Sequence, residues 1–413
     1  METSKTLAEQ NGSQSGAMLG ELTGDELLVQ NGNQAGSAMG ELTDDELLAQ
    51  NGNQAGVGVA EYFDELDRKP KILTFTANED GVSLAFFFNR DAAGEEQQNP
   101  DITFQKSTDG GLTWEEHAIG VYGPDDGDTS DLDVIMLDKG ESVMFKGVNS
   151  ENFTVGDPEN DEGIHVGFYL DGSVSASGDI TSLINGVGGD ATVQFMQFYQ
   201  MFLHCTGLTK APALPATTLA DSCYYGMFIG CTGLTKTPAL PATILIEDCY
   251  QYMFYGCTGL TKASALPATT LARNCYQSMF DGCTGLTQAP ALPATTLANH
   301  CYNYMFNGCT GLTQAPALPA TTLATNCYSD MFRECANITS HDVATLNNST
   351  GIFANNTSCA SLTIHAETPP TIANGTITGL KADCIIYVPA ASVDAYKAAQ
   401  YWSARASYIQ AMP

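Results

Sequence analysis

A 26-residue repeat between Met201 and Cys335 constrains the fold of this chain more than any other feature. A Met-Phe pair returns once per period, and so does each of two rows of cysteines. A single unit of this length cannot bury its own apolar side chains, so the repeat predicts a solenoid in which each coil stacks on the next. The pairs begin at Met201, Met227, Met253, Met279, Met305 and Met331; the cysteine rows are Cys205, Cys231, Cys257, Cys283, Cys309 and Cys335, and Cys223, Cys249, Cys275, Cys301 and Cys327.

Each repeat unit divides into two parts. The segment Leu208–Pro215 is short and contains prolines, which is typical of a strand at a sheet edge. Residues 221–222 are helix-capping types, and the apolar residues from Cys223 to Phe228 have the spacing of one helical stripe. Gly230 is suited to the end of a helix. The pattern predicts a coil made of strand, loop, short helix and return.

The unit resembles the BspA-type leucine-rich repeat, also called the Treponema-type repeat, of bacterial surface proteins. The resemblance covers about half of the chain and rests on a strand leucine, a proline that ends the strand, and a Phe-x-Gly-Cys sequence. The C-terminal segments Cys384–Pro389 and Ser392–Lys397 are similar to the family's usual ending. The resemblance implies a leucine-rich-repeat fold and a role in adhesion or recognition. The leucines are Leu208, Leu234, Leu260, Leu286 and Leu312, and the prolines are Pro215, Pro241, Pro267, Pro293 and Pro319.

The negative charge of the chain is concentrated in its first half. The formal net charge is −31; residues 1–190 contain 37 acidic and 8 basic residues, whereas residues 191–413 contain 10 and 8. Binding to nucleic acid is disfavoured, because phosphates must be neutralised by cations. Binding to an anionic membrane surface is disfavoured for the same reason, and no apolar run is long enough to span a bilayer.

The first 56 residues contain a second, shorter repeat. Segment 21–36 returns almost unchanged at 41–56, one period of 20 residues later. Each copy has a Thr-x-x-Glu capping box, a leucine pair and a stop at Asn-Gly. Two interpretations stay open: a disordered acidic tail, or tandem docking peptides that become ordered only in a groove of an anchoring partner. The docking residues would be Leu27, Leu28, Leu47 and Leu48.

Residues 71–190 show a β pattern. Six runs rich in β-branched and aromatic residues are separated by turn residues, which predicts a small antiparallel β-sandwich. The predicted strands cover residues 72–76, 82–88, 102–105, 134–137, 142–145 and 165–170.

One motif in this β region is known from enzymes. Ser107–Trp114 matches the Asp-box sequence S-x-D-x-G-x-T-W, which resembles the motif repeated in sialidase propellers. In those proteins it forms a hairpin turn remote from the catalytic site. A glycosidase needs a defined pair of carboxylates, and no pair stands out among the many acids. We therefore predict that the protein is not an enzyme.

The densest acidic run lies at residues 125–133. Several carboxylates on a flexible loop suit Ca²⁺, although their spacing is not that of an EF-hand. The alternative is a solvated acidic loop that holds no ion. The candidate ligands are Asp126, Asp128, Asp131 and Asp133, and no other cofactor is expected.

All 13 cysteines lie between Cys205 and Cys384. The odd count and the placement of 11 of them in two repeat rows argue against a complete disulfide framework. The spacings also do not match those of a zinc site. We predict a buried ladder in which cysteine acts as a small apolar residue.

The 26-residue period fails beyond Cys335, and Val393–Tyr408 is predicted to be a terminal helix anchored by Tyr396, Tyr401 and Trp402. This segment would cap the last coil. The predicted fold is mostly β with short helices: a leucine-rich-repeat solenoid preceded by an antiparallel β-sandwich and a flexible acidic tail. The predicted domains are the tail at 1–60, the sandwich at 61–190, the solenoid at 191–340 and the cap at 341–413.

Comparison of the repeats with one another separates packed positions from variable ones. The variable position after the strand threonine should face outward together with Pro212, Pro238, Ser264, Pro290 and Pro316. Exposed tyrosines suit the recognition of sugars or proteins, and ordinary solvated surface is the alternative. The candidate binding residues are Lys210, Lys236, Lys262, Gln288, Gln314, Tyr225, Tyr252 and Tyr304.

These features together favour a non-enzymatic binding or adhesion protein that acts outside the cell. The first hypothesis is a phage fibre or decoration protein, whose tail anchors to the virion and whose solenoid recognises a glycan or protein on the host surface. Two features motivate it: the tandem repeats of the tail, and an N-terminus that has neither the basic start nor the apolar core of a signal peptide. The alternative is a bacterial cell-surface adhesin whose leader has been removed.

Overall fold

The structure, a computed structural model, describes residues 71–90, 98–120, 129–130, 132–158 and 162–413. Within these ranges the chain is mostly β, with a few short helices. No helix among these residues has the length and apolar character needed to cross a membrane. The predicted 20-residue repeats of the tail lie outside the described residues.

Two sheets form from residues 73–177, with one further strand from the repeat region. Sheet A has the order β10-β9-β1-β6-β3-β4 and sheet B the order β5-β2-β8-β7. All pairs are antiparallel except β9 with β10. All six predicted strands are found, and β4, β7 and β9 were missed. The strands are β1 Leu73–Ala77, β2 Val82–Arg90, β3 Phe104–Ser107, β4 Glu115–His117, β5 Ile135–Leu137, β6 Ser142–Lys146, β7 Thr154–Asp157, β8 Glu162–Asp171, β9 Val174–Ser177 and β10 Leu208–Lys210.

Aromatic side chains from both sheets meet in one core. Phe75 of β1 stacks on Phe168 of β8 with ring centroids 4.6 Å apart, and Phe86 of β2 meets Phe145 of β6 edge-on at 5.0 Å. Phe202 of the repeat region packs against both Phe75 and Phe168, at 6.1 and 5.3 Å. The apolar core therefore continues from the two sheets into the first coil.

The backbone is also continuous between sheet A and the repeats. Strand β10 of the first coil pairs in parallel with β9, which would otherwise be an edge strand. Between β9 and a short helix α1, Ser182–Asn185, Asp179 forms a parallel bridge with Ala213. Since an unpaired edge strand invites aggregation, this pairing covers the edge within the chain itself.

Columns of identical side chains run through the repeats. Phe202, Phe228 and Phe254 stack with centroids 5.5 Å apart and nearly parallel planes, and the column continues to Phe332 at similar spacing. A second column joins Tyr224 to Tyr328 at 5.9 to 6.2 Å. All 13 cysteines are buried. One 26-residue period therefore corresponds to one coil, and residues one period apart stack on each other.

The prediction of a short helix in each coil is wrong. Residues 221–230 form consecutive turns, in which every fourth residue has a left-handed backbone with φ between 52° and 69°. Alternate amides bond to the next coil: the Tyr224 amide donates to Cys249 O at 3.1 Å, whereas the Tyr225 amide donates to Ser222 O within its own coil. The left-handed residues of four coils are Ser222, Gly226, Gly230, Asp248, Tyr252, Gly256, Asn274, Ser278, Gly282, His300, Tyr304 and Gly308.

The coils that keep the 26-residue period, up to Cys335, are called the regular coils, and their proline-containing side forms few β-strands. After β10, neighbouring coils are joined there by isolated parallel bridges such as Lys236 with Lys262 and Lys262 with Gln288. Prolines in each coil remove amide donors that a continuous ladder would need. The prediction that these prolines face outward is wrong for Pro212 and Pro290, which are buried.

Stacking continues beyond Cys335, without the 26-residue period. Four strands form a parallel sheet in the order β11-β12-β13-β14. The predicted single terminal helix is wrong: α2 covers only Val393–Ala398, and a 3-10 segment follows at Ser403–Tyr408. Tyr396 and Trp402 are buried as predicted, but Tyr401 is 38% exposed. The strands are β11 Ser340–Val343, β12 Ser361–Ile364, β13 Ile385–Val388 and β14 Ile409–Ala411.

Candidate functional site

One exposed lysine or glutamine from each of five successive coils lies in a row on the strand side. We call this surface the lysine–glutamine row. All of its residues are exposed, and each lies one coil from the next because the backbones of successive coils are in register. The separation is comparable to that of paired strands, about 4.8 Å. The row consists of Lys210, Lys236, Lys262, Gln288 and Gln314.

The row has a basic end and an amide end. Three ammonium groups stand in successive coils, and Lys236 and Lys262 have no carboxylate within ion-pair distance among the described residues. Like charges on neighbouring coils repel one another. An anion placed beside Lys236 and Lys262 would relieve this repulsion, so the basic end is suited to a negatively charged group.

At the amide end, the row borders a surface depression of about 430 Å³. Gln288 and Gln314 line it together with Thr287, Thr313 and Pro316. A second depression of about 420 Å³ adjoins it, shares Ala289 and Pro316, and is lined by alanine, leucine and proline. Polar side chains therefore stand beside an apolar depression on this surface.

The three predicted tyrosines do not form one site. Tyr225 and Tyr252 lie on adjacent coils with ring centroids 5.5 Å apart, and both are half-buried. They belong to an aromatic cluster with Tyr199, stacked 5.1 Å from Tyr225, and Tyr255, 5.9 Å from Tyr252. Tyr199 and Tyr255 are not among the predicted binding residues, although Tyr199 stands one period before Tyr225.

Tyr304 lies two coils beyond Tyr252 and has a different environment. Burial raises the pKa of its hydroxyl, and the Asp330 carboxylate raises it further. Asp330 also accepts a hydrogen bond from Arg333 at 3.3 Å. These contacts attach Tyr304 to a charged group rather than to the aromatic cluster.

The Asp-box forms the turn between β3 and β4. The Asp109 carboxylate accepts hydrogen bonds from the Thr113 hydroxyl at 2.6 Å, the Thr113 amide at 2.9 Å and the Ser107 hydroxyl at 2.7 Å. These bonds, with the Thr113 hydroxyl foremost, lower the pKa of Asp109 to about 2. The Trp114 indole donates to Gly111 O, and the Lys146 ammonium lies 3.8 Å from its ring. Each group of the motif is thus used to hold the hairpin.

Of the four candidate Ca²⁺ ligands, the structure describes only Asp133; Asp126, Asp128 and Asp131 lie outside the described residues. The Asp133 carboxylate accepts a hydrogen bond from Lys106 Nζ at 2.9 Å and contacts His117 Nδ1 at 3.0 Å. No group of three or more potential metal ligands occurs among the residues that were described. The docking residues Leu27, Leu28, Leu47 and Leu48 also lie outside the described part of the chain.

The sequence was compared with protein-family models and with curated proteins. No family model matches it, and no curated protein matches it significantly.

Proposed function

We propose that this chain is a non-enzymatic binding protein of the extracellular attachment type. Its repeat region would be a leucine-rich-repeat solenoid similar to the BspA type, preceded by a β-sandwich and a docking tail. The lysine–glutamine row would be the recognition surface. The observation that supports this most strongly is the one-per-coil spacing of exposed ammonium and amide groups beside the depression at Gln288 and Gln314.

The row suits an acidic glycan in extended form. The amide groups of Gln288 and Gln314 can donate to and accept from sugar hydroxyls, and Lys236 and Lys262 can form charge-assisted hydrogen bonds with carboxylate or sulfate groups. Alanine and proline in the adjoining depression offer an apolar floor for the C–H face of a sugar ring. A pyranose unit is similar in length to the rise of one coil, so successive sugars would meet successive coils.

An array of matched neutral and anionic oligosaccharides would identify a ligand, and calorimetry would give its dissociation constant. Changing Lys236→Glu and Lys262→Glu together should weaken binding by at least roughly tenfold, because each charged hydrogen bond contributes about 1.5 kcal/mol or more. Added salt should weaken wild-type binding as well. Lys397→Glu is the matched control, since Lys397 is an exposed lysine of α2.

An equal loss in the double variant and the Lys397→Glu control would show only an effect of net charge and would reject the row as the site. Binding that survives the lysine changes but is lost in Gln288→Ala with Gln314→Ala would restrict the site to the amide end and to neutral glycans.

The location of the protein is a separate part of the proposal. A virion-attached fibre or decoration protein and a bacterial surface adhesin would both use such a row for attachment. Gold-labelled antibodies against residues 71–413 distinguish them: labelled phage particles support the first, and a labelled bacterial envelope with unlabelled particles supports the second. Label on neither would reject both.

A further inference from the structure

The first cysteine row in the regular coils has a fixed hydrogen-bond pattern. From Cys231 to Cys335, each thiol donates to the carbonyl oxygen of the phenylalanine in the preceding coil. This bond occupies the thiol proton and directs the sulfur into the coil stack. The pairs are Cys231 with Phe202, Cys257 with Phe228, Cys283 with Phe254, Cys309 with Phe280 and Cys335 with Phe306, at 2.9 to 3.1 Å.

The pattern stops at the next coil, where Asn356 takes the place of the thiol. The Asn356 Nδ2 group donates to Phe332 O at 2.6 Å. The amide is oriented by His341, whose Nε2 lies 2.7 Å from Asn356 Oδ1 and donates to it because that oxygen is an acceptor. His341 itself is held between the rings of Phe332 and Phe353.

Cys359, three residues after Asn356, is outside this row and has a different partner. Its Sγ lies 3.7 Å from Sγ of Cys384, on the following coil. Cys384 directly precedes β13 and Cys359 lies two residues before β12; since Ser361 pairs in parallel with Ile385, the two cysteines are one residue out of register. Adjacent paired strands are about 4.8 Å apart, and a disulfide needs its Cα atoms about 4.4 to 6.8 Å apart. The spacing of the two strands is therefore compatible with a disulfide between these cysteines.

Both cysteines are fully buried, whereas Ser358, Ala360 and Asp383 beside them in the chain are exposed. The Cys359 thiol lowers the pKa of Cys384 by donating to its sulfur, and the positive charges of Arg405 and Lys381 act in the same direction. In the first cysteine row, by contrast, burial raises the pKa of thiols such as those of Cys257 and Cys283. Cys384 is thus the thiol best suited to ionise and react.

We propose that Cys359 and Cys384 are an oxidation site, which forms a disulfide between two neighbouring coils near the C-terminus. The oxidant is a small-molecule disulfide such as oxidised glutathione. The Cys384 thiolate attacks it, forms a mixed disulfide and releases one glutathione thiolate. The Cys359 thiolate then attacks the Cys384 sulfur and releases the second. Two protein thiols lose two electrons and two protons, and one oxidised glutathione becomes two reduced molecules.

The test uses the full chain after equilibration with oxidised glutathione. The protein is denatured, its free thiols are alkylated with N-ethylmaleimide, and its intact mass and peptides are measured. Of the 13 cysteines, two fewer, eleven, should be alkylated, and one cross-linked peptide should join Cys359 to Cys384. The thermal midpoint should rise by roughly 5 °C relative to the reduced protein, because the disulfide restrains the unfolded chain.

Two variants make the assignment specific. Cys384→Ser should abolish the cross-link and the thermal shift, whereas Cys283→Ser, which removes a thiol bonded to Phe254 O, should retain both. Alkylation of all 13 cysteines in the oxidised sample, or a cross-link within the regular rows, would overturn the proposal. Because this test does not involve a ligand, its outcome is independent of glycan binding.

Discussion

The regular coils, which end at Cys335, and the terminal coils, from Ala336 onward, stack in different ways. The regular coils keep a strict 26-residue period and stacked columns of phenylalanine and tyrosine, yet after β10 their strand side has only isolated bridges. The terminal coils pair in steps of 21, 24 and 23 residues and nevertheless form a four-stranded parallel sheet. A strict sequence period is therefore not needed for a continuous parallel sheet in this chain, and it does not produce one.

The difference has a physical origin in proline and in ring packing. Prolines on the strand side of the regular coils remove the donors needed for a ladder, so stacked side chains and the amides of the turns hold successive coils together. Strands β12 and β13 contain no proline; Pro369 and Pro389 follow them. The ring column ends at Phe332, where His341 packs 5.0 Å away. The terminal coils thus replace ring stacking with backbone pairing.

The largest effect should come from removing a ring in the middle of the column. Phe254 is fully buried between Phe228 and Phe280, at 5.5 and 5.7 Å. Phe254→Ala should lower the free energy of unfolding by about 3–5 kcal/mol, from lost burial and a cavity. Phe353 is also fully buried, but it packs on the ring of His341. Phe353→Ala should lower the free energy of unfolding by less than Phe254→Ala, and the difference should be the contribution of one aromatic pair, about 0.5–1.5 kcal/mol.

Chemical denaturation of the two variants measures this difference. The exposed Ile244, 59% accessible, provides a control, and Ile244→Ala should change stability by less than about 0.5 kcal/mol. Equal costs for Phe254→Ala and Phe353→Ala would mean that stacking within the column adds nothing to burial.

A smaller effect concerns the coil in which Ser264 replaces the usual proline. Its amide donates to the hydroxyl of Thr237 at 2.7 Å, and its own hydroxyl donates to Thr237 O at 2.9 Å. Thr237 replaces the usual alanine, so two exceptions on adjacent coils match each other. Ser264→Pro should cost about 1–2 kcal/mol, because the buried Thr237 hydroxyl loses its partner.

The double variant Thr237→Ala with Ser264→Pro restores the pair found elsewhere in the regular coils. Its stability should lie close to that of the wild type, which gives a coupling energy of about 1–2 kcal/mol in a double-mutant cycle. If the stability changes of the two single variants simply add in the double variant, the contact between Thr237 and Ser264 does not link the two coils.

The two regions should respond oppositely to pH. Burial raises the pKa of Asp281 in the regular coils to about 6, despite a hydrogen bond from Asn307. Its contribution to stability is complete below its ordinary pKa of 3.8 and is lost as the pH rises through 6. Burial lowers the pKa of His341 in the terminal coils to about 4. That contribution is present above the ordinary value of 6.5 and is lost as the pH falls through 4.

Urea denaturation between pH 4 and pH 8 tests the first half of this prediction. Asp281→Asn should be more stable than the wild type at pH 8, by on the order of 1 kcal/mol after allowance for solvent screening. The gain should disappear at pH 4. Asp394→Asn, on the exposed side of α2, is the matched control. A gain that is independent of pH would contradict the assignment to Asp281.

The sequence alone predicted which residues of the coil pack together. The repeated cysteine, Met-Phe and leucine positions are all buried, because residues that recur in every coil can leave water only by stacking. The amphipathic spacing of Cys223, Met227 and Phe228 did not distinguish a helix from consecutive left-handed turns, since both bring those side chains to one side. A usable indication was the repeated Asp, Asn or His at 248, 274 and 300, residue types that tolerate positive φ.

The candidate surface was predictable in part. The exposed row from Lys210 to Gln314 follows directly from comparing the repeats. The contact of Cys359 with Cys384 could not be found in this way, because both residues lie beyond the 26-residue repeat and their contact is fixed by coil register. Tyr199 stands one full period before Tyr225, so a comparison extended to the residues before Met201 would have found this pair.

Successive coils stack through turns in which every fourth residue has a left-handed backbone. Paired glycine substitutions test this arrangement most directly. Ser278 has φ of 52°, whereas the neighbouring Gln277 does not have positive φ. A positive φ costs a residue with a side chain about 1 kcal/mol, and glycine avoids this cost. Denaturation should show Ser278→Gly neutral or stabilising by up to about 1 kcal/mol, and Gln277→Gly destabilising by about 1 kcal/mol. Equal destabilisation by both substitutions, as in an α-helix, would contradict the account.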